Sequence, residues 1–247
     1  MKSFGLTDKG MVREDNQDSF IIEKCRAKDC LIVALCDGMG GAKAGGLASQ
    51  LSNRAFVSYV YAKLTSRVNR VIDYEKVLQD ACKEANGVAY EYSQFSEEYN
   101  GMGTTIVGGV IKSNGIGHII NVGDSRAYLI SRSNGSITQI TRDHSLVEDL
   151  VEYGAITPEQ ARNHPQRNVI TRAVGAEAQV EADYFSFELG AGDILLLCSD
   201  GLSNIVRDEE MLEHAKTHRD PEGLCRDLMS LALARGARDN VTVVAVK

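Results

Sequence analysis

The sequence predicts an α+β fold in which antiparallel β-sheets carry helices on their outer faces. Short apolar runs separated by turn-forming residues recur along the 247-residue chain, as is typical of strands joined by hairpins. Segments with helical periodicity are grouped in two pairs instead of alternating with strands, which favours antiparallel sheets. The chain has only three prolines and no low-complexity linker, so we expect residues 1–247 to form a single domain.

The first strands are expected at residues 3–7, 20–23 and 31–36. The run at 31–36 is apolar throughout, which predicts a strand buried on both faces, and it leads into Asp37 and a glycine-rich turn. Between the first two strands lies the polar, charged segment 9–20. On its own this segment is most typical of a solvated loop, although four of its residues are candidates for a site: Arg13, Asp15, Gln17 and Asp18.

Two long helices are predicted at residues 45–64 and 74–94, because apolar side chains recur at helical spacing in both. Asn-Gly turns and other glycines then indicate a series of hairpins. Their strands are expected at residues 104–111, 116–122, 126–131 and 137–140. The C-terminal part is expected to contain a strand at 194–198, helices at 208–217 and 221–235, and a strand at 241–246.

Residues 144–175 differ from the hairpins around them, because they are polar and show helical patterns. A short helix is expected at 145–153, and Thr157 followed by proline indicates a second helix start. A long insertion of this kind between strands is a candidate lid or substrate-facing flap. His144 and His164 could act there as ligands or acid/base groups, but structural hydrogen bonding is the commoner role of such histidines.

Four aspartates lie at the ends of apolar strands. Asp37, Asp124 and Asp200 follow such runs, and the pair Asp239-Asn240 directly precedes the last one. Any single Asp-Gly step after a strand is explained by turn chemistry alone, but four of them could converge at one end of the sheets. Clustered carboxylates repel one another by several kcal/mol at short range. Hard divalent cations with oxygen ligands, Mg²⁺ or Mn²⁺, neutralise such clusters.

Composition excludes some functions. A net charge of −7 argues against non-specific nucleic-acid binding, whereas a bound metal would still permit an anionic substrate. No two of the six cysteines have the spacing of a zinc or redox motif, so we expect reduced thiols. We find no signal region and no apolar run long enough to span a membrane, and therefore expect a cytoplasmic protein.

Five motifs occur in chain order and together resemble those of a known family. They are RxxNQD at 13–18, DGMGG at 37–41, GDSR at 123–126, SDGL at 199–202 and DNVT at 239–242. The series is similar to that of the metal-dependent protein phosphatase 2C (PPM) family of Ser/Thr phosphatases, in its compact bacterial form. The resemblance covers essentially the whole chain. It implies a central β-sandwich of two antiparallel sheets flanked by helix pairs, with metals in the cleft at one end.

The resemblance also implies a set of metal ligands. Asp37 would bridge two Mn²⁺ or Mg²⁺ ions, and the Gly38 carbonyl would complete the second site. Asp200 and Asp239 would hold the first ion. Asp124 would bind a third, weaker ion that it shares with Asp200.

The reaction implied is hydrolysis of phosphoserine and phosphothreonine by a metal-bridging hydroxide, without a phosphoenzyme intermediate. Arg13 would clamp the substrate phosphate, Asp18 would hold metal-bound water, and Asp37 would position the nucleophile between the ions. The expected partners are Ser/Thr-phosphorylated proteins, and a Hanks-type kinase is the partner that such an enzyme would oppose. We expect a monomer.

Two positions depart from many eukaryotic members of that family. Met39 replaces a histidine proposed there as general acid, and Gln17 replaces a glutamate. A thioether cannot donate a proton, so the general acid is unassigned. Two alternatives remain: a non-catalytic phosphoprotein-binding module, disfavoured by the four retained aspartates, and a phosphatase acting on an anti-sigma-factor antagonist, disfavoured because such members usually have additional domains.

Overall fold

The computed structural model describes residues 1–41, 44–66 and 71–247, and the strands in these ranges form two antiparallel sheets. The strands are β1 (Ser3–Asp8), β2 (Asp18–Cys25), β3 (Cys30–Met39), β4 (Gly103–Thr104), β5 (Ile106–Lys112), β6 (Ile116–Val122), β7 (Arg126–Ser131), β8 (Ser136–Gln139), β9 (Asp183–Glu188), β10 (Ile194–Cys198) and β11 (Val241–Val246). The first sheet has the order β1-β11-β10-β7-β8. The second has the order β2-β3-β5-β6-β9, and the short β4 also pairs with β3.

The two sheets pack face to face, as the alternating side chains of β3 demonstrate. Successive residues of a strand point to opposite faces. Leu31, Val33 and Leu35 contribute to a core that also contains Leu197 and Val244 of the first sheet. The intervening side chains face the helices instead: Ile32, Ala34 and Cys36.

Helices cover both outer faces of this sandwich. They are α1 (Ala44–Thr65) and α2 (Tyr74–Ser93) on one face, and α5 (Asp200–Ser203), α6 (Asp208–Thr217) and α7 (Pro221–Ala234) on the other. Two short helices, α3 (Leu146–Glu152) and α4 (Pro158–Arg162), lie between β8 and β9. Helices α1 and α2 share a buried core with the second sheet, and α5, α6 and α7 share one with the first. The predicted α+β architecture, with α-β-β-α layers, is therefore confirmed.

Local capping explains where several helices begin. Asp73 accepts a hydrogen bond from the Lys76 N–H and caps α2. The start expected at Thr157 is confirmed, because Thr157 and Gln160 form a reciprocal capping box in front of α4, with proline at its first position.

Among the strands and α-helices of the described ranges, three were not predicted: β4, β9 and α5. Asp37, which we expected directly after a strand, lies inside β3, because β4 pairs with Gly38 and Met39 and lengthens the ladder. In the described ranges, no helix combines the length and hydrophobicity that crossing a bilayer requires. All six cysteines are buried and free.

Candidate active site

The pairing of β2 with β3 brings two predicted site residues together. Asp18 and Asp37 are directly opposite each other in this antiparallel ladder, so their side chains project from the same face. Only 6% of Asp18 is exposed. Its Oδ2 accepts hydrogen bonds from Ser199 Oγ at 2.8 Å and Thr242 Oγ1 at 2.6 Å. Because Ser199 follows β10 and Thr242 lies in β11, Asp18 joins the two sheets at this end of the sandwich.

Asp200 and Asp239 reach the same end from the first sheet. Asp200 is the first residue of α5 and is separated from the end of β10 by Ser199, and Asp239 is separated from the start of β11 by Asn240. Since β10 and β11 are antiparallel neighbours, the end of one lies beside the start of the other. The Ser199 N–H donates to the Thr242 carbonyl at 3.1 Å and closes this junction.

Asn240 fixes the loop that carries Arg13. Its Oδ1 accepts a hydrogen bond from the Gln17 N–H at 2.8 Å. Its Nδ2 donates to the carbonyls of Lys9 and Asp15, each at 2.9 Å. The buried Asn240 side chain therefore holds the segments before and after Arg13 against the start of β11.

The Arg13 side chain projects from this loop toward the carboxylates. Its Nη2 lies 2.8 Å from Asp239 Oδ2, and 56% of the arginine side chain is exposed. The hydrogen bond to Asp239 and its negative charge raise the pKa of Arg13, and the charges of Asp37 and Asp200 add to this. The guanidinium therefore lies in the field of the carboxylate cluster while remaining accessible to a ligand.

Asp124 lies in the turn between β6 and β7. The preceding Gly123 has φ +98°, which favours glycine, and a Cβ there would lie 2.5 Å from Thr105 Cγ2. Thr105 Oγ1 and Ser125 Oγ are 2.7 Å apart, which ties the turn to the residue after β4. Burial raises the pKa of Asp124 well above its usual value, and the nearby charge of Asp200 is the next cause.

Burial and mutual repulsion dominate the electrostatics of the cluster. Burial raises the pKa of Asp18 to about 6, although hydrogen bonds from Thr242 and Ser199 oppose the rise. Burial, followed by the charge of Asp239, raises the pKa of Asp200 to about 6. For Asp37, burial and then the charges of Asp18 and Asp200 raise the pKa well above its usual value. The fold therefore holds together carboxylates that oppose each other's ionisation.

The donor set suits hard divalent cations, because it consists of carboxylate and carbonyl oxygens. The Oδ1 atom of Asp18 is buried and has no hydrogen-bond partner within the described ranges, and a cation or the water around it would satisfy this atom. Those ranges contain no group of three or more His, Cys, Asp or Glu side chains already arranged as a metal site. The fit accordingly rests on the donor chemistry and the unpartnered oxygen, and the individual ligand roles stay predictions.

Gly38 lies in a space that excludes a side chain. A Cβ at this position would come within 2.0 Å of the Gly45 carbonyl oxygen and 2.7 Å of the Gln17 carbonyl oxygen. The Gly38 N–H donates to that Gln17 carbonyl at 3.2 Å. The Gln17 side chain donates to the Gly41 carbonyl at 3.3 Å. These contacts fix the backbone around the predicted carbonyl ligand.

The flap, defined as residues 144–175, lies beside these carboxylates. A cavity of about 320 Å³ separates its helices from α5 and α6. Asp124 and Asp200 line this cavity together with Glu148, Arg162 and Arg207. Met39 lines a second cavity, which also borders the flap. The insertion expected to face substrate therefore forms one wall of a groove that reaches the carboxylates.

A family model described as protein phosphatase 2C matches residues 11–232. The chain belongs to the protein phosphatase 2C family. The predicted resemblance is thus confirmed, and the motif series at 13–18, 37–41, 123–126 and 199–202 falls within the matched region.

Individual relatives agree with this family. The serine/threonine phosphatase stp of Listeria innocua is 37% identical over 241 residues, which cover 98% of this chain and 93% of that protein. The crystal structure of the Mycobacterium tuberculosis serine/threonine phosphatase PstP/Ppp superposes with a TM-score of 0.86 at 36% identity, covering 99% of this chain and 97% of that one. A structure of the PstP catalytic domain in complex with two manganese ions has a TM-score of 0.82 at 34% identity, covering 99% and 96%.

In this protein phosphatase 2C chain, the predicted residues lie at one end of the sandwich: Arg13, Asp18, Asp37, Gly38, Asp124, Asp200 and Asp239. Asp15 offers its backbone carbonyl to Asn240. Three further residues of the site were not predicted: Asn240, Ser199 and Thr242. Their positions beside the aspartates of the SDGL and DNVT motifs are the feature of the sequence that indicates them.

Proposed function

We propose that this chain is a metal-dependent phosphatase that hydrolyses phosphoserine and phosphothreonine in proteins. The observation that best supports this is the meeting of partly buried aspartates from both sheets, with mutually raised pKa values, beside the accessible Arg13 guanidinium. The relatives named as serine/threonine phosphatases favour the same substrate class.

The proposed ligands are those that the motifs predict. Asp37, Asp200, Asp239 and the Gly38 carbonyl would hold two ions, and Asp124 would hold a third together with Asp200. When bound, such ions lower the pKa of water and neutralise charge on a phosphate. Manganese in the PstP structure makes Mn²⁺ the first ion to test, with Mg²⁺ as the alternative.

The chain's own residues would bind and orient the reactants. Arg13 can exchange its contact with Asp239 for two phosphate oxygens, because its planar fork donates in parallel and its side chain is accessible. Ser199 and Thr242 occupy Oδ2 of Asp18, so Oδ1 would be the atom that accepts a hydrogen bond from metal-bound water.

A thiol nucleophile is disfavoured. Cys198 lies two residues before Asp200, but it is fully buried, and burial raises its pKa to about 12. The thiolate is the reactive form of cysteine. Direct attack by water, without a covalent phosphoenzyme, is therefore the mechanism that we propose.

The partners proposed are Ser/Thr-phosphorylated proteins, including a cognate Ser/Thr kinase, and the flap would contact them. The flap residues Tyr153 and Val169 are exposed and offer apolar contacts to a partner. We further propose that residues 1–247 act as one catalytic domain and as a monomer, which size-exclusion chromatography with light scattering would test.

The central test compares two aspartates at opposite ends of β10. Asp200→Asn removes a proposed ligand charge without changing side-chain size. Asp193→Asn makes the same change at the distal end, where Asp193 accepts hydrogen bonds from the N–H groups of Arg132 and Gly190. Hydrolysis of p-nitrophenyl phosphate should require Mn²⁺ or Mg²⁺ and stop with EDTA. It should fall about 100-fold or more in Asp200→Asn alone, as for the loss of one preorganised charge-stabilising group.

Release of phosphate from a phosphothreonine peptide by the same preparation tests the substrate class. Activity on the aryl phosphate without activity on any phosphopeptide or phosphoprotein would contradict a protein substrate. Absence of both activities with either metal would return the chain to the binding-module alternative.

A further inference from the structure

His144 and Gly123 bind each other through two hydrogen bonds. The His144 backbone N–H donates to the Gly123 carbonyl at 2.9 Å, and the Gly123 N–H donates to His144 Nδ1 at 3.2 Å. Gly123 directly precedes Asp124 and has a φ of +98°, in the region that favours glycine. The imidazole therefore supports the backbone from which the Asp124 side chain projects.

The other ring nitrogen faces a second element. Because Nδ1 accepts a hydrogen bond, the proton of the neutral ring lies on Nε2, which is 3.2 Å from Asp183 Oδ2 at the start of β9. Arg172 Nη1 donates to Asp183 Oδ1 at 2.9 Å and lies 3.3 Å from His144 Nε2. The ring thus connects the Gly123 turn to β9 and to a flap arginine.

The two ends of the flap also meet at this point. The Thr171 N–H donates to the His144 carbonyl at 2.8 Å, and Ser145 forms an antiparallel bridge with Ile170. A few residues later, Val174 exchanges two backbone hydrogen bonds with Thr104, at 2.9 and 2.8 Å.

His144 is 3% exposed, so it cannot touch a substrate or a reacting atom. We propose that His144 is a positioning residue with two separate contacts: its Nδ1 holds the turn that places Asp124 in its ligand position, and its Nε2 side anchors the flap. This inference rests on the proposed function, because Asp124 is a ligand only if the chain binds metal there.

Three variants separate the two contacts of the ring. His144→Asn keeps an acceptor near the position of Nδ1 for the Gly123 N–H but does not reach Asp183. His144→Gln extends to Asp183 but leaves the buried Gly123 N–H without a partner, and His144→Ala loses both contacts. His118→Asn is the matched control, because His118 lies on β6, half-buried, and its Nδ1 is 2.8 Å from the hydroxyl of Tyr184 on β9.

The first readout is amide hydrogen exchange of the metal-free protein in EDTA. We expect exchange in residues 121–126 to rise about tenfold in His144→Gln, since the buried Gly123 N–H then has no hydrogen-bond partner. His144→Asn should keep residues 121–126 near the wild-type rate and accelerate exchange in residues 169–173. His118→Asn should change neither segment.

The second readout is the Mn²⁺ concentration that gives half-maximal hydrolysis of p-nitrophenyl phosphate. We expect it to rise about tenfold in His144→Gln and to stay near wild type in His144→Asn, since supporting groups around a ligand are typically worth 10–100-fold in metal affinity. The rate at saturating Mn²⁺ should change by much less, because His144 does not touch the reactants.

Equal exchange of residues 121–126 in wild type, His144→Gln and His144→Asn would overturn this positioning role, as would equal acceleration of both segments in the two variants. If His144→Ala fails to fold, the Asn and Gln pair still decides the question. An inactive wild type that shows the expected exchange pattern would instead count against the proposed function and leave the positioning role of His144 intact.

Discussion

Replacing Asn240 tests how the Arg13 loop is held. Asn240 is 4% exposed, and its side chain accepts one hydrogen bond from the Gln17 N–H and donates two, to the Lys9 and Asp15 carbonyls. Asn240→Ala removes all three. Asn240→Asp keeps the acceptor for Gln17 but places a carboxylate oxygen against the two carbonyls, close to Asp239.

The two substitutions differ in expected cost. In Asn240→Ala, the Gln17 N–H loses its partner at roughly 1–3 kcal/mol, whereas water can reach the carbonyls of the exposed Lys9 and Asp15, so the total is about 2 kcal/mol. In Asn240→Asp, two repulsive contacts and a further negative charge raise the loss to about 3 kcal/mol or more. The distinctive expectation is that Asn240→Asp is less stable than Asn240→Ala.

Urea unfolding in EDTA measures the stability of each variant, and kcat/KM for p-nitrophenyl phosphate with saturating Mn²⁺ measures its catalytic efficiency. We expect kcat/KM of Asn240→Ala to fall about 10–100-fold, because Arg13 is no longer held in place. Asn86→Ala is the control, since Asn86 is also buried and bridges the Gly175 N–H and the Glu177 carbonyl. It should lose similar stability and keep its kcat/KM. Wild-type kcat/KM in Asn240→Ala, or an Asn240→Asp protein more stable than Asn240→Ala, would refute the reasoning.

Two further outcomes are expected. Folding raises the pKa of Asp200 from 3.8 to about 6, so the folded protein holds this proton more tightly than the unfolded chain does. The stability of the metal-free protein should therefore fall as the pH rises from about 4 through 6. Asp200→Asn should therefore raise the free energy of unfolding in EDTA near neutral pH by roughly 1–3 kcal/mol, whereas Asp193→Asn lowers it; a less stable Asp200→Asn protein contradicts this. In the flap, Tyr153 is 84% exposed. Tyr153→Ser should raise KM for a phosphoprotein several-fold and have a smaller effect on KM for p-nitrophenyl phosphate. Equal losses on both substrates would contradict a role of the flap in substrate recognition.

Much of this architecture is predictable because local patterns agree with the global fold. The apolar run at 31–36 has the composition of a strand buried on both faces, and β3 does contribute to two cores. The aspartates were recognisable because each stands at the end of such a run. Because strand ends meet at the edge of a sheet, aspartates that recur at the ends of apolar runs along the chain lie close together in the folded protein.

The remainder depends on contacts that no local pattern encodes. Among the strands that the structure describes, β9 is an edge strand paired with β6, and its half-exposed sequence DYFSFE lacks the apolar run that identified the central strands. β4 has two residues, too few to produce a periodicity. The contact between Asn240 and Gln17 spans 223 positions, so neither residue's neighbours indicate it.

The clustered carboxylates destabilise the folded metal-free protein, and their positions in the two sheets explain why. Asp18 and Asp37 belong to the second sheet, and Asp200 and Asp239 flank strands of the first, so docking of the two sheets is the step that brings them together. Ser199 and Thr242 reduce the resulting cost with neutral hydrogen bonds to Asp18, yet burial still raises the pKa of that residue. Neutral donors orient a carboxylate without cancelling its charge, whereas a divalent cation does both. Cation binding at this cluster would therefore stabilise the contact between the sheets, which couples metal affinity to the stability of the sandwich.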